Sequence, residues 1–209
     1  MWVRDFGGTG PLMLLWHGAG CDLACWETLA PHLTGFHVVA QDLPGHGRSL
    51  LKLFTTSDAL ADADAVVAEL GEGSPIVVGH SLGGYAGLRY AATRRCSGWI
   101  GLDGPFAVVY PWGHDDPGLP ESILRICREI RALDVARDFA AIKCRAMLVL
   151  CSVAADLIEE RLVPARREIA EHLARHHPEI RVEWVQTGHD TILFHESQEI
   201  AARMREFLA

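Results

Sequence analysis

The stretch SPIVVGHSLGGYAGLRYAA, residues 74–92, passes within a few residues from a run rich in valine and isoleucine to a helix-like segment. Ser81 lies at the change, among glycines at positions 79, 83 and 84. This arrangement fits the pattern G-x-S-x-G, in which a serine occupies a sharp turn between a buried strand and a helix. Its hydroxyl then projects from the strand end, beside the N-terminus of a helix, where negative charge is favoured. Ser81 is therefore a candidate nucleophile.

Short apolar runs alternate with helical patterns along the rest of the chain. The runs that read as strands are 11–18, 36–43, 74–81, 96–104, 145–152 and 181–188. Helical periodicity covers 57–71, 84–94, 158–176 and 196–208. Strand–helix alternation predicts an α/β fold with a mostly parallel sheet, helices on both faces and right-handed crossovers. Functional residues are then expected at the carboxyl ends of the strands.

One segment, 104–144, interrupts this alternation. It begins irregular and aromatic and then becomes helical, so we interpret it as a short lid inserted into a single domain that spans residues 1–209. Its aromatic residues Phe106, Tyr110 and Trp112 are candidates for an apolar substrate-binding wall, and the alternative is that they form the core of the lid. The first strong strand starts about ten residues into the chain, so at most one edge strand is expected before it.

Four motifs occur in a characteristic order. They are HGAG at 17–20, DLPGHGRS at 42–49, GHSLGG at 79–84 and TGHDTILFHESQEIAARMREFL at 187–208. Together they resemble the H-G-x-G oxyanion loop, the D-x-x-G-x-G-x-S turn, the nucleophile elbow and the C-terminal histidine loop with the last helix of the α/β-hydrolase superfamily. The resemblance covers nearly the whole chain. It implies an α/β-hydrolase fold, here with a trimmed N-terminal sheet edge and a short lid.

Carried over residue by residue, the resemblance makes Ser81 the nucleophile and His189 the general base. The backbone N–H groups of Ala19 and Leu82 would form the oxyanion hole. Chemistry agrees with this assignment, because a serine hydroxyl is unreactive near neutral pH unless an imidazole within hydrogen-bonding reach takes its proton.

Two aspartates compete for the role of the triad acid. The chain order serine, acid, histidine places the acid between residues 81 and 189. Asp156 follows the strand 145–152, where the superfamily carries its acid, although Val153 stands where relatives commonly have glycine. Asp103 ends the preceding strand, and some relatives use an acid there. We favour Asp156 and keep Asp103 as the alternative.

The expected activity is that of a cofactor-free serine hydrolase that cleaves a carboxylic ester or thioester through an acyl-enzyme on Ser81. The same triad serves lyases, C–C bond hydrolases and perhydrolases among the relatives, so these reactions are the alternative. A non-catalytic pseudo-hydrolase that only binds a ligand is a third interpretation. Dehalogenase and epoxide-hydrolase chemistry is disfavoured, since those relatives carry aspartate at the elbow.

Composition limits the other function classes. The formal net charge of −8 argues against a nucleic-acid partner. No apolar run approaches the ~20 residues of a membrane span, and the N-terminus lacks a signal-peptide pattern, so we expect a cytoplasmic protein. The six cysteines include no C-x-x-C pair, which predicts free thiols and no metal site. A small-molecule acyl substrate is the expected partner, and the sequence makes no prediction of oligomeric state.

Overall fold

The computed structural model describes residues 1–71, 73–106, 120–154 and 156–209. Within these residues it forms seven β-strands and six α-helices. The strands are β1 (Trp2–Gly7), β2 (Leu12–Trp16), β3 (His37–Asp42), β4 (Ile76–His80), β5 (Gly98–Leu102), β6 (Arg145–Cys151) and β7 (Arg181–Val185). The helices are α1 (Thr56–Leu70), α2 (Leu82–Thr93), α3 (Glu121–Arg131), α4 (Val135–Ala141), α5 (Leu157–His176) and α6 (Ser197–Leu208). Two short 3-10 helices, Leu23–Trp26 and Ala30–His32, lie between β2 and β3.

The strands form one sheet in the order β1-β3-β2-β4-β5-β6-β7. Only β1 runs antiparallel to its neighbour, and the other pairs are parallel. The predicted α/β class with a mostly parallel sheet is confirmed. All six predicted strands are present, and β1 supplies a single edge strand before the first of them.

Both faces of the sheet are covered, because the strand side chains alternate between two apolar clusters. In β2, Leu14 and Trp16 join one cluster, whereas Met13 and Leu15 join the other. Helices α1 to α5 pack on the first face, and α6 packs on the second face together with the 3-10 helices. Both clusters are almost fully buried, which explains the nearly continuous apolar runs of these strands. No helix among the described residues has the length and apolarity needed to span a membrane.

The central parallel strands end at one edge of the sheet, and their register places two of the ends side by side. His80, the last residue of β4, pairs with Leu102, the last residue of β5. Ser81 and Asp103 therefore leave the sheet at the same level. The Ser81 N–H donates to the Leu102 carbonyl at 3.0 Å, which ties the serine turn to the end of β5.

The segment predicted as a lid is described only in part, since residues 107–119 lie outside the described residues. Helices α3 and α4 place Ile126, Ile130, Val135 and Phe139 in the apolar cluster of the first face. The described helices of this segment therefore share the core of the sheet. The single domain and the bounds of the lid stay predictions.

Glycines are required at the serine turn because helix α2 lies directly against neighbouring backbone. A Cβ atom at Gly83 would lie 2.2 Å from the carbonyl oxygen of Trp16, and one at Gly79 would lie 2.1 Å from the carbonyl oxygen of Gly83. Real Cβ atoms do not approach backbone this closely, so a larger residue would push the helix away from the sheet. The Gly83 N–H also donates to the His17 carbonyl at 3.1 Å, which holds the two segments together.

Gly83→Ala is expected to lower the free energy of unfolding by about 1–3 kcal/mol through overpacking against Trp16. The urea midpoint at constant m-value measures this change. Gly73→Ala is the matched control, because a Cβ at Gly73 meets nothing within 4 Å. An equal loss in the two variants would contradict the close packing of α2.

Candidate active site

Ser81 occupies a strained turn between β4 and α2. Its backbone has φ 50° and ψ −113°, a left-handed conformation that is uncommon for a residue with a side chain. Asp103 has φ 46°, and these two are the only non-glycine residues with positive φ in the part of the chain that the structure describes. Strain of this kind costs about 1–3 kcal/mol per residue and clusters at functional sites. The strained backbone therefore indicates that Ser81 and Asp103, at the ends of β4 and β5, belong to a functional site.

His189 lies within hydrogen-bonding distance of the serine. Its Nε2 atom is 3.0 Å from Ser81 Oγ. Its Nδ1 atom is 2.7 Å from Asp103 Oδ2. The Asp103 carboxylate accepts a hydrogen bond from Nδ1–H, so Nε2 carries the lone pair that can accept the serine proton. The three side chains therefore form one connected arrangement of a hydroxyl, an imidazole and a carboxylate.

The acid predicted from the sequence is corrected by this geometry. The carboxylate in contact with His189 belongs to Asp103, which was the alternative. The Asp156 carboxylate instead accepts from the backbone N–H of Glu159 at 2.8 Å, in the first turn of α5. Asp156 is exposed and caps a helix, whereas Asp103 is completely buried.

Asp103 accepts hydrogen bonds on both carboxylate oxygens. The Cys151 N–H donates to Oδ1 at 3.0 Å. The Arg166 Nε donates to Oδ1 at 2.9 Å, and its Nη2 donates to Oδ2. Burial alone would raise the pKa of the Asp103 carboxyl, but the hydrogen bonds and charges of His189 and Arg166 outweigh burial and lower the pKa to about 2. Asp103 is therefore ionised near neutral pH.

His80 supports the histidine loop from below. Its Nε2–H donates to the backbone carbonyl of His189 at 3.0 Å, and the two rings lie 4.8 Å apart. Burial is the main cause, and the charge of the nearby His189 the next, of a pKa of His80 lowered to about 3, so this ring stays neutral. Its Nδ1 atom is buried and has no hydrogen-bond partner among the described residues. His80 therefore holds His189 through its backbone carbonyl. Within the described residues, no hydrogen bond joins His80 to Ser81 Oγ.

The HGAG loop lies against the serine turn. A Cβ at Gly18 would be 3.3 Å from Ser81 Cβ and 2.9 Å from His80 Nδ1, so only glycine fits between them. His17 is fully buried, contacts the Gly18 carbonyl through Nδ1 at 2.8 Å and accepts the Leu43 N–H on Nε2 at 3.0 Å. Burial lowers the pKa of His17 to about 4, which keeps it neutral in this bracing role. Ala19 follows Gly18 in this loop.

The DLPGHGRS motif forms a tight turn after β3. Asp42 accepts the Leu23 N–H at 2.8 Å and the Arg48 N–H at 2.7 Å. Gly47 lies so close to the Asp42 carboxylate that an added Cβ would overlap it. This aspartate holds the turn together and takes no part in the arrangement around Ser81.

A cavity of about 170 Å³, lined by apolar side chains together with His46, Ser122 and Arg125, lies beside the HGAG loop. Its walls include Gly20 of that loop, Phe54, and Ile123 and Ile126 of α3. Leu53 lines the outer part of the cavity and is 59% exposed.

Of the predicted aromatic wall, Phe106 is buried in the first-face cluster. The Phe106 N–H donates to the hydroxyl of Tyr85. Tyr110 and Trp112 lie outside the described residues, so the prediction that these aromatics bind substrate stays a prediction.

No group of histidine, cysteine or acidic side chains suited to a metal ion occurs within residues 1–71, 73–106, 120–154 and 156–209. The six cysteines are free thiols.

Arg166 is the residue of this site that the sequence interpretation missed. It lies on α5 and is 1% exposed. A signal was present, because Leu162, Ala165, Ile169 and Leu173 form the buried stripe of this helix, and Arg166 falls on the same stripe. An arginine on the apolar face of a helix requires a buried acceptor, and that acceptor is Asp103.

Comparison with known proteins identifies the family. The family model described as alpha/beta hydrolase fold matches residues 11–148. A lipase of Mycobacterium tuberculosis, LipV, is 39% identical over 94 residues, which is 44% of this chain and 36% of the lipase. The esterase Rv0045c of the same organism is 36% identical over 90 residues, 42% of this chain and 30% of the esterase. The matched segments thus span about a third of these curated relatives.

Solved structures agree on the fold. The crystal structure of an enol-lactonase from Burkholderia xenovorans LB400 superposes with a TM-score of 0.77 at 19% identity, covering 99% of this chain and 95% of that one. At this identity the likeness concerns the fold alone. With the family match over residues 11–148 and the strand order described above, the chain belongs to the alpha/beta hydrolase fold family.

Proposed function

We propose that the protein is a serine hydrolase that cleaves a carboxylic ester or thioester through an acyl-enzyme on Ser81. The observation that carries the proposal is the unbroken contact from Ser81 Oγ to His189 Nε2 and from His189 Nδ1 to Asp103 Oδ2. Membership of the alpha/beta hydrolase fold family and similarity to a lipase and an esterase support the reaction class.

The reaction would proceed in two halves. Ser81 Oγ attacks the carbonyl carbon while its proton passes to His189 Nε2, and His189 then gives that proton to the departing alkoxide or thiolate. Water, deprotonated by His189, attacks the acyl-serine, and the acid leaves as Ser81 recovers its proton. Asp103 holds the ring in the required tautomer and stabilises the imidazolium in both halves.

The oxyanion that forms in each half would be stabilised by the backbone N–H groups of Ala19 and Leu82. A Cβ atom at Gly18 would lie 3.3 Å from Ser81 Cβ, so the HGAG loop is close to the serine. Leu82 is the first residue of α2, whose first-turn N–H groups have no acceptor within the helix. Donors of this kind are each worth about 2.7–4 kcal/mol of barrier. The cavity beside Gly20, with Leu53 at its rim, would receive an apolar part of the substrate.

A fluorophosphonate probe is expected to label Ser81 and no other serine, because only an activated hydroxyl reacts. Mass spectrometry of the adduct locates the label. Ser81→Ala should abolish labelling, and His189→Ala should slow it by about 10²-fold or more through loss of the general base. Ser97→Ala, at an exposed serine, is the control and should label normally. Absence of labelling in the wild type would favour a ligand-binding protein without hydrolase activity.

A substrate panel then separates the reactions that share such a triad. Esters and acyl thioesters should be turned over with transient acylation of Ser81. Turnover of cyanohydrins without any of the esters would favour a lyase instead.

Asp103→Asn is expected to lower kcat by about 10⁴-fold, since an amide cannot hold the histidine tautomer. Asp156→Asn should change kcat by less than about threefold, because it only weakens a helix cap. Steady-state hydrolysis compares the two. Asp103→Asn also leaves Arg166 buried without its partner, so Asp103→Asn/Arg166→Gln is measured alongside to remove that charge. A larger loss in Asp156→Asn would overturn the assignment of the acid.

The acid side of the pH–kcat/KM profile should follow a single titration. The pKa of His80 is about 3 and that of Asp103 about 2, so neither group takes up a proton in an assay between pH 5 and 9. Protonation of the base removes the lone pair that accepts the serine proton, and the rate should fall tenfold per pH unit below the midpoint. A rate that stays flat down to pH 4 would contradict the role of His189.

A further inference from the structure

The guanidinium of Arg166 forms a buried ion pair with the carboxylate of Asp103. The Arg166 side chain is 1% exposed, Asp103 is fully buried, and the guanidinium meets the carboxylate through Nε and Nη2 together. This fork geometry fixes the plane of the carboxylate as well as its position. The oxygen that Nη2 contacts, Oδ2, is the same atom that accepts from His189 Nδ1.

The shared oxygen makes the arginine an indirect partner of the histidine. When a carboxylate has no charged partner other than an imidazole, its full negative charge stabilises a positive charge on that ring. Here a guanidinium on the other side of the same carboxylate offsets much of that charge, because interactions between buried groups are screened weakly. The imidazolium that forms during catalysis is therefore stabilised less strongly, because Asp103 is already paired with Arg166.

The remaining groups around this unit do not supply a second cation. From β4, His80 faces the histidine loop, and from β6, Cys151 faces Asp103. Burial lowers the pKa of His80, and burial raises the pKa of Cys151, so both are neutral in the working range. Glu159 of α5 lies 4.0 Å from Arg166 and close to Gly188, and Asp190 follows His189 in the chain. Among the described groups facing the dyad, Arg166 is the cation.

We propose that Arg166 is a positioning residue for the catalytic histidine: it orients the Asp103 carboxylate toward His189 and, through its charge, extends activity to lower pH than an unpaired aspartate would allow. The inference rests on the proposed function of the Ser81–His189–Asp103 arrangement. Arg166, from α5, would then be a fourth side chain, beside Ser81, His189 and Asp103, on which the pH range of activity depends.

Two substitutions separate charge from geometry. Arg166→Lys keeps a positive charge but loses the fork, so kcat should fall by about tenfold while the acid limb of the pH–kcat/KM profile stays in place. Arg166→Gln keeps an amide donor but loses the charge, so the acid limb should move to higher pH by about one unit. The sign is the same whether His189 becomes easier to protonate or Asp103 itself takes up the proton, since either change inactivates the base at a higher pH.

Arg167→Met is the matched control, because Arg167 is the next residue of α5 and is exposed. Its profile should overlay that of the wild type. A role confined to stability would lower the melting temperature of the Arg166 variants and leave the acid limb unchanged in both. That result, or an equal shift in Arg167→Met, would overturn the proposal.

A second readout does not need hydrolysis. The Nδ1–H of His189, hydrogen-bonded to a carboxylate, should give a low-field proton resonance in water that is absent in His189→Ala. The pH at which this resonance titrates should rise in Arg166→Gln and not in Arg166→Lys. If the wild type cleaves no ester but the resonance behaves in this way, the proposed function fails and the coupling through Arg166 stands. If esters are cleaved and the resonance titrates identically in all variants, the coupling is wrong.

Discussion

The buried carboxylate of Asp103 is the constraint around which the site is assembled. A desolvated negative charge is tolerated only when its oxygens are occupied by donors, and Asp103 meets donors from β6, α5 and the histidine loop. Three separate parts of the chain therefore converge on one side chain. Removal of the Arg166 guanidinium would leave the buried carboxylate without its cation, a loss that typically reaches about 3–5 kcal/mol for buried ion pairs.

The two strained residues lie on neighbouring strands, and this placement sets the distances in the site. Because His80 and Leu102 are paired in the sheet, the turns that follow them start from a common level. The unusual backbone at Ser81 and Asp103 directs both side chains out of this edge, where one imidazole reaches both. The distances from His189 to Ser81 and Asp103 are therefore set by the register of β4 and β5. Strand register is strongly specified in a sheet that is buried on both faces.

Much of this arrangement could be predicted from local sequence, and the rest depends on tertiary packing. Buried parallel strands and amphipathic helices have distinct periods, so the fold class and the strand positions followed from pattern alone. Ser81 and His189 were identified because the residues around them carry distinctive motifs. No motif decides between the two aspartates at strand ends. In the sequence, the feature that bears on this choice is the placement of Arg166 on the buried stripe of α5, which calls for a buried acceptor. Asp156 sits just before a helix, and there the capping of a free N–H explains its presence equally well.

The parts that meet at Asp103 also come from distant points along the chain. Ser81 and Asp103 belong to its first half, whereas Arg166 and His189 arrive with α5 and the loop after β7. A partly folded state that lacks the last two would have a serine turn, but its aspartate would have no cation beside it and its serine no base. The proposed hydrolytic activity would then depend on the docking of the C-terminal third, and turnover would report whether the whole chain has folded.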